Sequence, residues 1–310
     1  MTEIHDERVA IVTGGGRGIG LSIARALSQA GAKIVISDSG VSIGGMDPDP
    51  TVARTAASQI GASAIAFTES IGTPTSAKAL IDFTRESYGR VDIIINNAAI
   101  LRDSFIFKSD PDDWDAVITT NLSAAYHLLA AATPVMRAQG KADSNYKDGR
   151  IVNITSTAGL YGNFGQATYA SAKAGLLGLT RAVALDMARS GVTCNAVAPF
   201  AATRVTESIQ PANDSQTEYK TRALRLSAHH VATFVAYLCD EKAKHVSGQL
   251  FAVRGREVFI FSQPRPKARI ISPDSDWSVD TLAIAVDKDF KPDFIALETD
   301  LEAFNTEPAI

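Results

Sequence analysis

Cysteine and metal-binding patterns are scarce in this sequence. Of the 310 residues only two are cysteines, Cys194 and Cys239, and both lie in apolar segments of a predicted strand and a predicted helix. We therefore interpret them as buried thiols. The five histidines show no metal-ligand spacing, since even the adjacent His229 and His230 point in different directions on a helix. No metal site is predicted.

Runs of basic residues and long apolar segments are also lacking. The 30 lysines and arginines are scattered and the formal net charge is −4, which argues against a nucleic-acid partner or an anionic membrane. No apolar stretch approaches the roughly 18 residues that a membrane span requires. The N-terminal segment MTEIHDER is acidic and polar, unlike a signal peptide. We therefore expect a cytoplasmic protein without a membrane partner.

Short runs rich in β-branched residues alternate with longer segments of helical periodicity. A chain of 310 residues with 45% hydrophobic content can form one globular α/β domain. The alternation predicts seven parallel strands covered on both faces by helices, a doubly wound sheet of Rossmann type. The predicted strands are 8–13, 33–37, 63–67, 91–96, 150–155, 192–197 and 249–253. The predicted helices are 18–30, 51–60, 74–88, 112–137, 166–189 and 228–239.

Two segments interrupt this alternation after predicted strands, where open α/β sheets bind their ligands. The segment 38–50 is rich in Gly, Pro and Asp and predicts a surface loop, and the mostly polar segment 199–227 is our candidate for a lid over the substrate. We expect one domain over residues 1–265, followed by a C-terminal extension over 266–310 that is too short to form a domain of its own.

The segment TGGGRGIG, residues 13–20, follows the first predicted strand and opens the first helix. Gly14, Gly18 and Gly20 leave room for backbone N–H groups to approach a pyrophosphate at the helix N-terminus. Asp38 ends the second strand near the offset at which a carboxylate binds the adenosine ribose, which favours NAD over NADP. Asp38 is also a common turn residue. Arg17 opposes the preference, because a cation here could bind a 2′-phosphate.

Tyr169 and Lys173 lie four residues apart and therefore on one face of a helix. A cation beside a phenol favours its ionised form, so the pair is a candidate acid/base. A Tyr-x-x-x-Lys pair alone more often occurs on a solvated helix face.

Over residues 7 to 255 the sequence resembles the short-chain dehydrogenase/reductase family. The resemblance lies in TGGGRGIG, in NNAA at 96–99, in Ser156, and in the Tyr169 and Lys173 pair, with Asn121 matching the remaining member of the family's catalytic tetrad. Within the family, the segments ILRDSFIFKSDPDDWD and GLYGNFGQATYASAKAGLLGL are most similar to the 3-hydroxyacyl-CoA dehydrogenase part of peroxisomal β-oxidation multifunctional enzymes and their bacterial relatives.

The resemblance implies a role for each matched residue. Tyr169 is expected to be the acid/base, Lys173 to lower its pKa, and Ser156 to hold the substrate oxygen, while Asn121 is expected to hold a water that passes protons to solvent. The implied cofactor-binding residues are Gly14, Arg17, Gly18, Ile19, Gly20, Asp38, Glu69, Ser70, Asn97, Ala98, Ala99, Tyr169, Lys173, Pro199 and Thr203.

Several positions depart from the family pattern. Ala99 stands where glycine is usual, so its methyl group would point toward the cofactor, and Glu69 stands in place of an Asp near the adenine. Arg204 lies near the expected position of a nicotinamide-contacting Thr, which leaves Thr203 as its substitute. Phe200 follows Pro199 where glycine is common, and AVRGREVFIF replaces the usual C-terminal Asp-Gly-Gly.

The resemblance predicts hydride transfer between NAD and a secondary alcohol or ketone, with a 3-hydroxyacyl-CoA thioester or a steroid-like molecule as substrate. One alternative is an NADP-dependent 3-oxoacyl thioester reductase, and another is a nucleotide-sensing protein without turnover. The predicted helices 112–137 and 166–189 are rich in Ala and Leu, and relatives associate through the equivalent helices. We therefore expect a homotetramer or a homodimer.

Overall fold

The computed structural model describes residues 8–143, 146, 149–208, 210–211, 213–272 and 276–310. Within these ranges eight strands form one sheet in the order β3-β2-β1-β4-β5-β6-β7-β8. The strands are β1 Val9–Thr13, β2 Lys33–Ser37, β3 Ala64–Phe67, β4 Ile93–Asn96, β5 Arg150–Ile154, β6 Thr193–Phe200, β7 Leu250–Arg254 and β8 Glu257–Ile260. Residues 1–7, which carry most of the expectation about targeting, lie outside the described residues.

Helices connect the strands and cover both faces of the sheet. They are α1 Gly18–Gln29, α2 Thr51–Ile60, α3 Pro74–Tyr88, α4 Pro111–Ile118, α5 Ala124–Ala142, α6 Ala158–Tyr161, α7 Ala167–Met187, α8 Arg204–Ser208, α9 Asp214–Ala223, α10 Ala228–Cys239, α11 Val279–Asp289 and α12 Asp300–Ala303. The strands β1 to β7 pair in parallel, because each connection between them crosses the sheet and carries a helix or helices. The predicted doubly wound fold is confirmed.

The sheet has one strand more than the seven that the sequence predicts. β8 pairs with β7 in antiparallel orientation, and Arg254 lies opposite Glu257 in the register. Gly255 adopts a φ of +58°, which permits the two-residue hairpin turn between the strands. The segment AVRGREVFIF was interpreted only as an altered family motif, so the hairpin within it was missed.

The long helix predicted over 112–137 is interrupted. α4 and α5 are separated by a π-helical turn over Thr119–Ser123, and Asn121 lies in the middle of this turn. Such a turn widens the helix locally and occurs frequently at functional sites. Apolar periodicity does not reveal it, because the spacing continues on both sides.

Two apolar layers enclose the sheet, and each contains one of the cysteines. Cys239 on α10 packs in the layer that includes Ile23 and Leu27 of α1. Cys194 on β6 packs in the opposite layer, which includes Leu128 of α5. Both thiols are free and buried, as predicted. Burial raises the pKa of Cys239 to about 11 and raises the pKa of Cys194 further.

The C-terminal extension returns to the body of the protein at its end. The Phe304 ring lies 4.8 Å from the Phe200 ring, and both belong to one buried apolar cluster. Arg254 donates hydrogen bonds to the carbonyl oxygens of Phe304 at 2.8 Å and Thr306 at 3.1 Å. By contrast, none of the residues of α11 is buried. The segment 299–309 is therefore fixed against the domain, whereas α11 exposes its side chains.

Candidate active site

A cleft of about 810 Å³ lies at the carboxyl ends of the parallel strands. β1 lies between β2 and β4, so the chain leaves this point of the sheet in opposite directions. Open α/β sheets bind ligands at such a switch point. Residues from both loops singled out in the sequence, 38–50 and 199–227, line the cleft.

The turn between β1 and α1 has room for backbone only at two of its three glycine positions. Gly14 adopts a φ of +60°, and a Cβ atom there would lie 2.8 Å from the Cα atom of Ala98. A Cβ atom on Gly20 would lie 2.2 Å from the carbonyl oxygen of Gly14. At Gly18 the space is open, because the nearest atom to an added Cβ is a Thr203 methyl carbon at 3.7 Å. The first turn of α1 thus presents backbone to the cleft, and these residues fit a dinucleotide.

Asn97 holds the glycine turn in place. Its Nδ2 atom donates hydrogen bonds to the carbonyl oxygens of Thr13 and Gly14, both at 3.0 Å. The Thr13 hydroxyl accepts hydrogen bonds from the backbone N–H groups of Asn97 at 3.0 Å and Ala98 at 3.1 Å. Asn97, Ala98 and Ala99 also line the cleft. Asn97, which we expect to contact the cofactor, thus also holds the glycine turn through its side chain.

Asp38 is a turn residue that also lines the cleft. Its carboxylate accepts hydrogen bonds from the backbone N–H groups of Gly40 at 2.8 Å, as in a turn, and of Gly16 at 2.9 Å. Each carboxylate oxygen has further acceptor capacity, and Asp38 lines the cleft. Arg17 also lines the cleft, and its Nη2 atom donates to the carbonyl oxygen of Gly40 at 2.6 Å. The arginine is therefore held beside the carboxylate.

Arg204 brings a second cation to this end of the cleft. It lines the cleft at the start of α8. Burial lowers the pKa of Arg204, the charge of Arg17 lowers it further, and the charge of Asp38 raises it. Two arginines therefore share the surroundings of Asp38, although the sequence indicated Arg204 only as a departure from the family pattern.

The remaining expected cofactor residues also border the cleft. They follow the carboxyl ends of several strands or begin α1, so each reaches the same space. They are Ile19, Glu69, Ser70, Pro199 and Thr203.

Three of the four expected catalytic residues meet at one wall of the cleft. Ser156 follows β5, and Tyr169 and Lys173 lie one turn apart on α7. The Lys173 Nζ atom lies 5.7 Å from the centroid of the Tyr169 ring and donates a hydrogen bond to the carbonyl oxygen of Ile154 at 2.8 Å. The ammonium group therefore lies over the face of the ring and is held there by the backbone.

Burial sets the pKa values of Tyr169 and Lys173 in the protein without a bound nucleotide. Burial raises the pKa of Tyr169 to about 12, although a hydrogen bond with Ser156 lowers it. The carboxylates of Asp103 and Asp300 also raise it. Burial lowers the pKa of Lys173 to about 8. In the protein without a nucleotide, burial of the phenol and the two carboxylates therefore outweigh the hydrogen bond from Ser156 and keep the pKa of Tyr169 raised.

Asn121 fixes the loop after β4. Its Oδ1 atom accepts a hydrogen bond from the Ile100 N–H at 2.8 Å, and its Nδ2 atom donates to the Ile100 carbonyl oxygen at 2.9 Å. Both groups of the side-chain amide are therefore engaged by the backbone. A water held by Asn121, as the family resemblance implies, would have to use its main-chain carbonyl group or the remaining amide valences.

Acidic residues at the substrate side of the cleft were missed in the sequence. Gln166 donates a hydrogen bond from Nε2 to Oδ2 of Asp103 at 2.8 Å. The Asp300 Oδ2 atom accepts hydrogen bonds from the hydroxyl groups of Thr157 at 2.6 Å and Tyr219 at 3.3 Å. Asp103, Tyr219 and Asp300 lie far in sequence from Ser156, so no local pattern connects them with it.

Two further findings concern metal-binding clusters and membrane-spanning helices in the described parts of the chain. There, no group of three or more His, Cys, Asp or Glu residues could hold a metal ion. In the same residues, no helix combines the length and the apolar character needed to cross a bilayer.

The sequence matches the short chain dehydrogenase family over residues 8–216. A 3-oxoacyl-[acyl-carrier-protein] reductase from Synechocystis is 38% identical over 250 residues, which cover 80% of this chain and 96% of the relative. The peroxisomal multifunctional enzyme type 2 of Drosophila melanogaster is 35% identical over 275 residues, covering 88% of this chain and 43% of the relative. This chain therefore spans less than half of the Drosophila enzyme.

The fold is also similar to that of a solved structure. A crystal structure of a short chain dehydrogenase from Mycobacterium avium matches with a TM-score of 0.77 and 33% sequence identity. The match covers 91% of this chain and 94% of that chain.

Proposed function

The chain belongs to the short-chain dehydrogenase family, and we propose that it is an NAD-dependent dehydrogenase of 3-hydroxyacyl thioesters. One observation carries the proposal: Ser156, Tyr169 and Lys173 meet in the cleft that begins at the glycine turn. A hydroxyl, a phenol and an ammonium group in one place suit proton exchange with a carbinol oxygen. The glycine turn suits a dinucleotide beside them.

Two lines of support favour an acyl thioester. The Synechocystis relative is named as a 3-oxoacyl thioester reductase, and the segments quoted above are similar to a hydroxyacyl-CoA dehydrogenase. The mouth of the cleft also offers apolar surface, since Phe164 lines it with 79% of its surface exposed. Phe105 and Phe107, which are also exposed, stack with ring centroids 5.5 Å apart. The backbone N–H of Ser104 donates to the carbonyl oxygen of Gly165 at 2.8 Å, which joins the segment that carries Phe105 and Phe107 to the one that carries Phe164.

Tyr169 is the group that exchanges the substrate proton. When bound, the nicotinamide supplies the acceptor or donor of the hydride and, in its oxidised form, a positive charge. With its pKa raised to about 12, the Tyr169 phenol is protonated at neutral pH and can donate to the oxygen of a ketone. For alcohol oxidation the phenolate must form, and an added positive charge beside the ring favours it.

The neighbours of Tyr169 position the reacting oxygen. The hydroxyl of Ser156 forms a hydrogen bond with Tyr169 and can hold a carbinol oxygen beside it. Lys173 is buried under the ring and can bind the ribose hydroxyl groups of a nucleotide in the cleft. With its pKa lowered to about 8, it can also release and take up a proton near neutral pH.

NAD is the proposed cofactor because of Asp38. Its carboxylate is fixed by the N–H groups of Gly16 and Gly40, so it cannot swing away from an entering 2′-phosphate. Loss of charge-assisted hydrogen bonds to a ribose costs about 1.5–3 kcal/mol each. A carboxylate fixed in this position therefore favours NAD, whose adenosine ribose has free hydroxyl groups, over NADP.

A second candidate is an NADP-dependent 3-oxoacyl thioester reductase. Arg17 and Arg204 both line the cleft near Asp38, and arginines bind phosphate groups well. The 38% identity to the Synechocystis reductase supports the same candidate. Under our proposal the two arginines bind the pyrophosphate group, which is present in both NAD and NADP.

A substrate and cofactor panel tests the proposal. Purified protein would be assayed for NADH formation with 3-hydroxyacyl-CoA thioesters of several chain lengths, and for NADPH formation in parallel. Simple secondary alcohols and steroid alcohols serve as comparison substrates. We expect the thioesters to give the highest kcat/KM with NAD. A higher kcat/KM with NADPH and 3-oxoacyl thioesters would support the reductase instead.

A further inference from the structure

A carboxylate from the C-terminal extension lies in the active-site cleft. Asp300 lines the cleft together with Thr299, Leu301 and Glu302. Its Oδ2 atom accepts a hydrogen bond at 2.6 Å from the hydroxyl of Thr157, the residue that follows the catalytic-site Ser156. Residue 300 lies beyond the part of the chain that matches the family, which ends at residue 216. This contribution to the site is thus not one that the family match supplies.

The position of Asp300 is fixed from both sides. Thr299 and Glu302, on either side of Asp300 in the chain, form a capping box that starts α12. After it, the Phe304 ring packs among Phe200, Tyr161 and Phe259 with centroid distances of 4.8, 6.2 and 5.3 Å. The segment is therefore part of the folded wall of the cleft.

Further hydrogen bonds attach the end of this segment. The Arg254 Nη2 atom donates to the Thr306 hydroxyl at 2.8 Å, and the backbone N–H of Arg256 donates to the Ala309 carbonyl at 2.8 Å. Arg222 at the end of α9 donates to the Asn305 Oδ1 atom at 2.7 Å. The segment cannot leave the cleft without breaking these contacts.

Asp300 also contacts the predicted lid. Tyr219 lies on α9, and its hydroxyl group donates to Asp300 Oδ2 at 3.3 Å. The carboxylate thereby joins the lid to the turn after β5. The same oxygen accepts both hydrogen bonds, so its partner Oδ1 keeps its acceptor capacity.

The charged groups around the phenol of Tyr169 are mostly acidic. Asp103 from the loop after β4 and Asp300 from α12 both act on Tyr169, and Lys173 beneath the ring is the facing cation. Lys173 is turned toward the Ile154 carbonyl. A substrate carbinol bound at the Tyr169 hydroxyl would therefore lie near the negative charges of Asp103 and Asp300.

We propose that Asp300 determines substrate specificity by repelling molecules in which a carboxylate lies one methylene group from the carbinol, so that the cleft takes 3-hydroxyacyl thioesters, whose carbonyl group is neutral, and rejects the free 3-hydroxy acids. The proposal rests on the proposed function. A thioester and its free acid share the carbinol and the chain, and at the carbonyl carbon the acid carries a negative charge that the thioester lacks. Two like charges at close range in a partly buried site repel each other strongly, whereas a neutral thioester carbonyl does not meet this penalty.

Three variants separate charge from structure. Asp300→Asn removes the charge and keeps an oxygen that can accept from Thr157 and Tyr219. Glu298→Gln is the matched control, because it removes an exposed negative charge two residues away in the same segment. Tyr219→Phe removes the hydrogen bond to the lid and keeps the charge. Asp300→Ser is the replacement for Asp300→Asn if the latter does not fold.

The first measurement is the ratio of kcat/KM for the N-acetylcysteamine thioester of 3-hydroxyhexanoate to that for free 3-hydroxyhexanoate. We expect Asp300→Asn to lower this ratio by about tenfold or more, chiefly through a gain with the free acid. Glu298→Gln should leave the ratio as in the wild type, and Tyr219→Phe should affect both compounds alike. An unchanged ratio in Asp300→Asn, in a protein that oxidises the thioester, overturns this inference and leaves the proposed function standing. A fall of the ratio in Tyr219→Phe equal to that in Asp300→Asn overturns it as well.

The second measurement does not depend on turnover. Binding of hexanoate and of the neutral hexanamide to the NADH-bound protein would be measured by calorimetry. We expect the wild type to favour hexanamide, and Asp300→Asn to shift the preference toward hexanoate by about tenfold. If the wild type oxidises no thioester but this shift occurs, the proposed function fails and the role of Asp300 stands. Equal binding of the two compounds by the wild type, or no shift in the variant, overturns the role.

Discussion

Asn121 and Ile100 are joined by two hydrogen bonds, one from the Ile100 N–H to Asn121 Oδ1 at 2.8 Å and one from Asn121 Nδ2 to the Ile100 carbonyl at 2.9 Å. The side-chain amide of Asn121 thus gives the backbone N–H and C=O groups of Ile100 the hydrogen-bond partners that a neighbouring strand would provide in a sheet. It is presented by the π-helical turn over Thr119–Ser123. The loop after β4, which borders the cleft, is therefore fixed by a distortion of the following helix.

Asn121→Ala should lower both stability and turnover. Loss of the amide leaves two buried backbone groups of Ile100 without partners, at a cost of about 1–3 kcal/mol each. Denaturant unfolding and steady-state kinetics would measure the two effects. Asn195→Ala is the matched control, because Asn195 is also buried and bonds the backbone at Val246 (2.8 Å) and Gln249 (3.1 Å). The control should lose stability and keep its kcat. Equal kcat values in the two variants would contradict a role of Asn121 at the site.

Tyr169→Phe should abolish turnover and keep NADH binding. The substitution retains the ring over Lys173 and removes the oxygen that exchanges the proton, which contributes about 10²–10⁴-fold to the rate. Fluorescence titration with NADH checks that the cleft is intact. Tyr237→Phe, at a tyrosine of α10 that is 40% exposed, is the control and should be as active as the wild type. Retention of more than about a tenth of the wild-type kcat by Tyr169→Phe would refute the assignment.

Asp38→Asn should reduce the preference for NAD. We expect the wild type to favour NAD over NADP by about tenfold or more in kcat/KM, because charge-assisted hydrogen bonds to the ribose are lost with NADP. The variant keeps one acceptor oxygen for Gly16 or Gly40 and loses the negative charge, so the ratio should shrink. Asp49→Asn removes an exposed charge in the same loop and should not change the ratio. Equal use of both cofactors by the wild type would identify Asp38 as a turn residue alone.

Two glycine substitutions should act in opposite directions. Gly20→Ala should destabilise the protein and abolish cofactor binding, because its Cβ would lie 2.2 Å from the carbonyl oxygen of Gly14. A Cβ on Gly178 of α7 meets nothing within 4 Å. Gly178→Ala should therefore stabilise the protein by about 0.5–1 kcal/mol, as expected for glycine in a helix interior. Thermal unfolding with and without NADH measures both effects. Tight NADH binding by Gly20→Ala would contradict the close packing described here.

We propose that the protein forms a homodimer or homotetramer through α5 and α7. Tyr126 on α5 is 56% exposed and Leu185 on α7 is 76% exposed, so both helices present apolar surface. Light scattering at micromolar concentration should give a dimer or a tetramer, and Leu185→Glu should weaken the association. Leu224→Glu, at an exposed leucine after α9, is the control. A monomeric wild type would exclude the proposal.

Local patterns in the sequence singled out the glycine turn and the Tyr169 and Lys173 pair, and in the structure both border one cleft. The strand before Gly14 and the helix after it set the turn, and the spacing of Tyr169 and Lys173 sets their common face. Such features depend on neighbours within about one or two turns of chain. This is why they could be identified without the structure.

Features that depend on distant contacts were not predictable in this way. Asp300 and Thr157 are separated by 143 residues, and no periodicity joins them. Asp103 and Gln166 are separated by 63 residues. The rise in the pKa of Tyr169 in the protein without cofactor could not be read from the sequence for the same reason, because it depends on burial and on the carboxylates of Asp103 and Asp300. The sequence was enough to identify Ser156, Tyr169 and Lys173 as candidates, but it did not reveal the charged groups around them.

The two buried cysteines can report local unfolding of the protein through their reaction with a thiol reagent. A thiol reacts as its thiolate, so Cys194 and Cys239, with raised pKa values, should react with a thiol reagent only when the chain around them opens. They lie in the two apolar layers on opposite faces of the sheet. Their separate labelling rates therefore compare how often each layer opens, and equal rates would mean that both layers unfold in one cooperative unit.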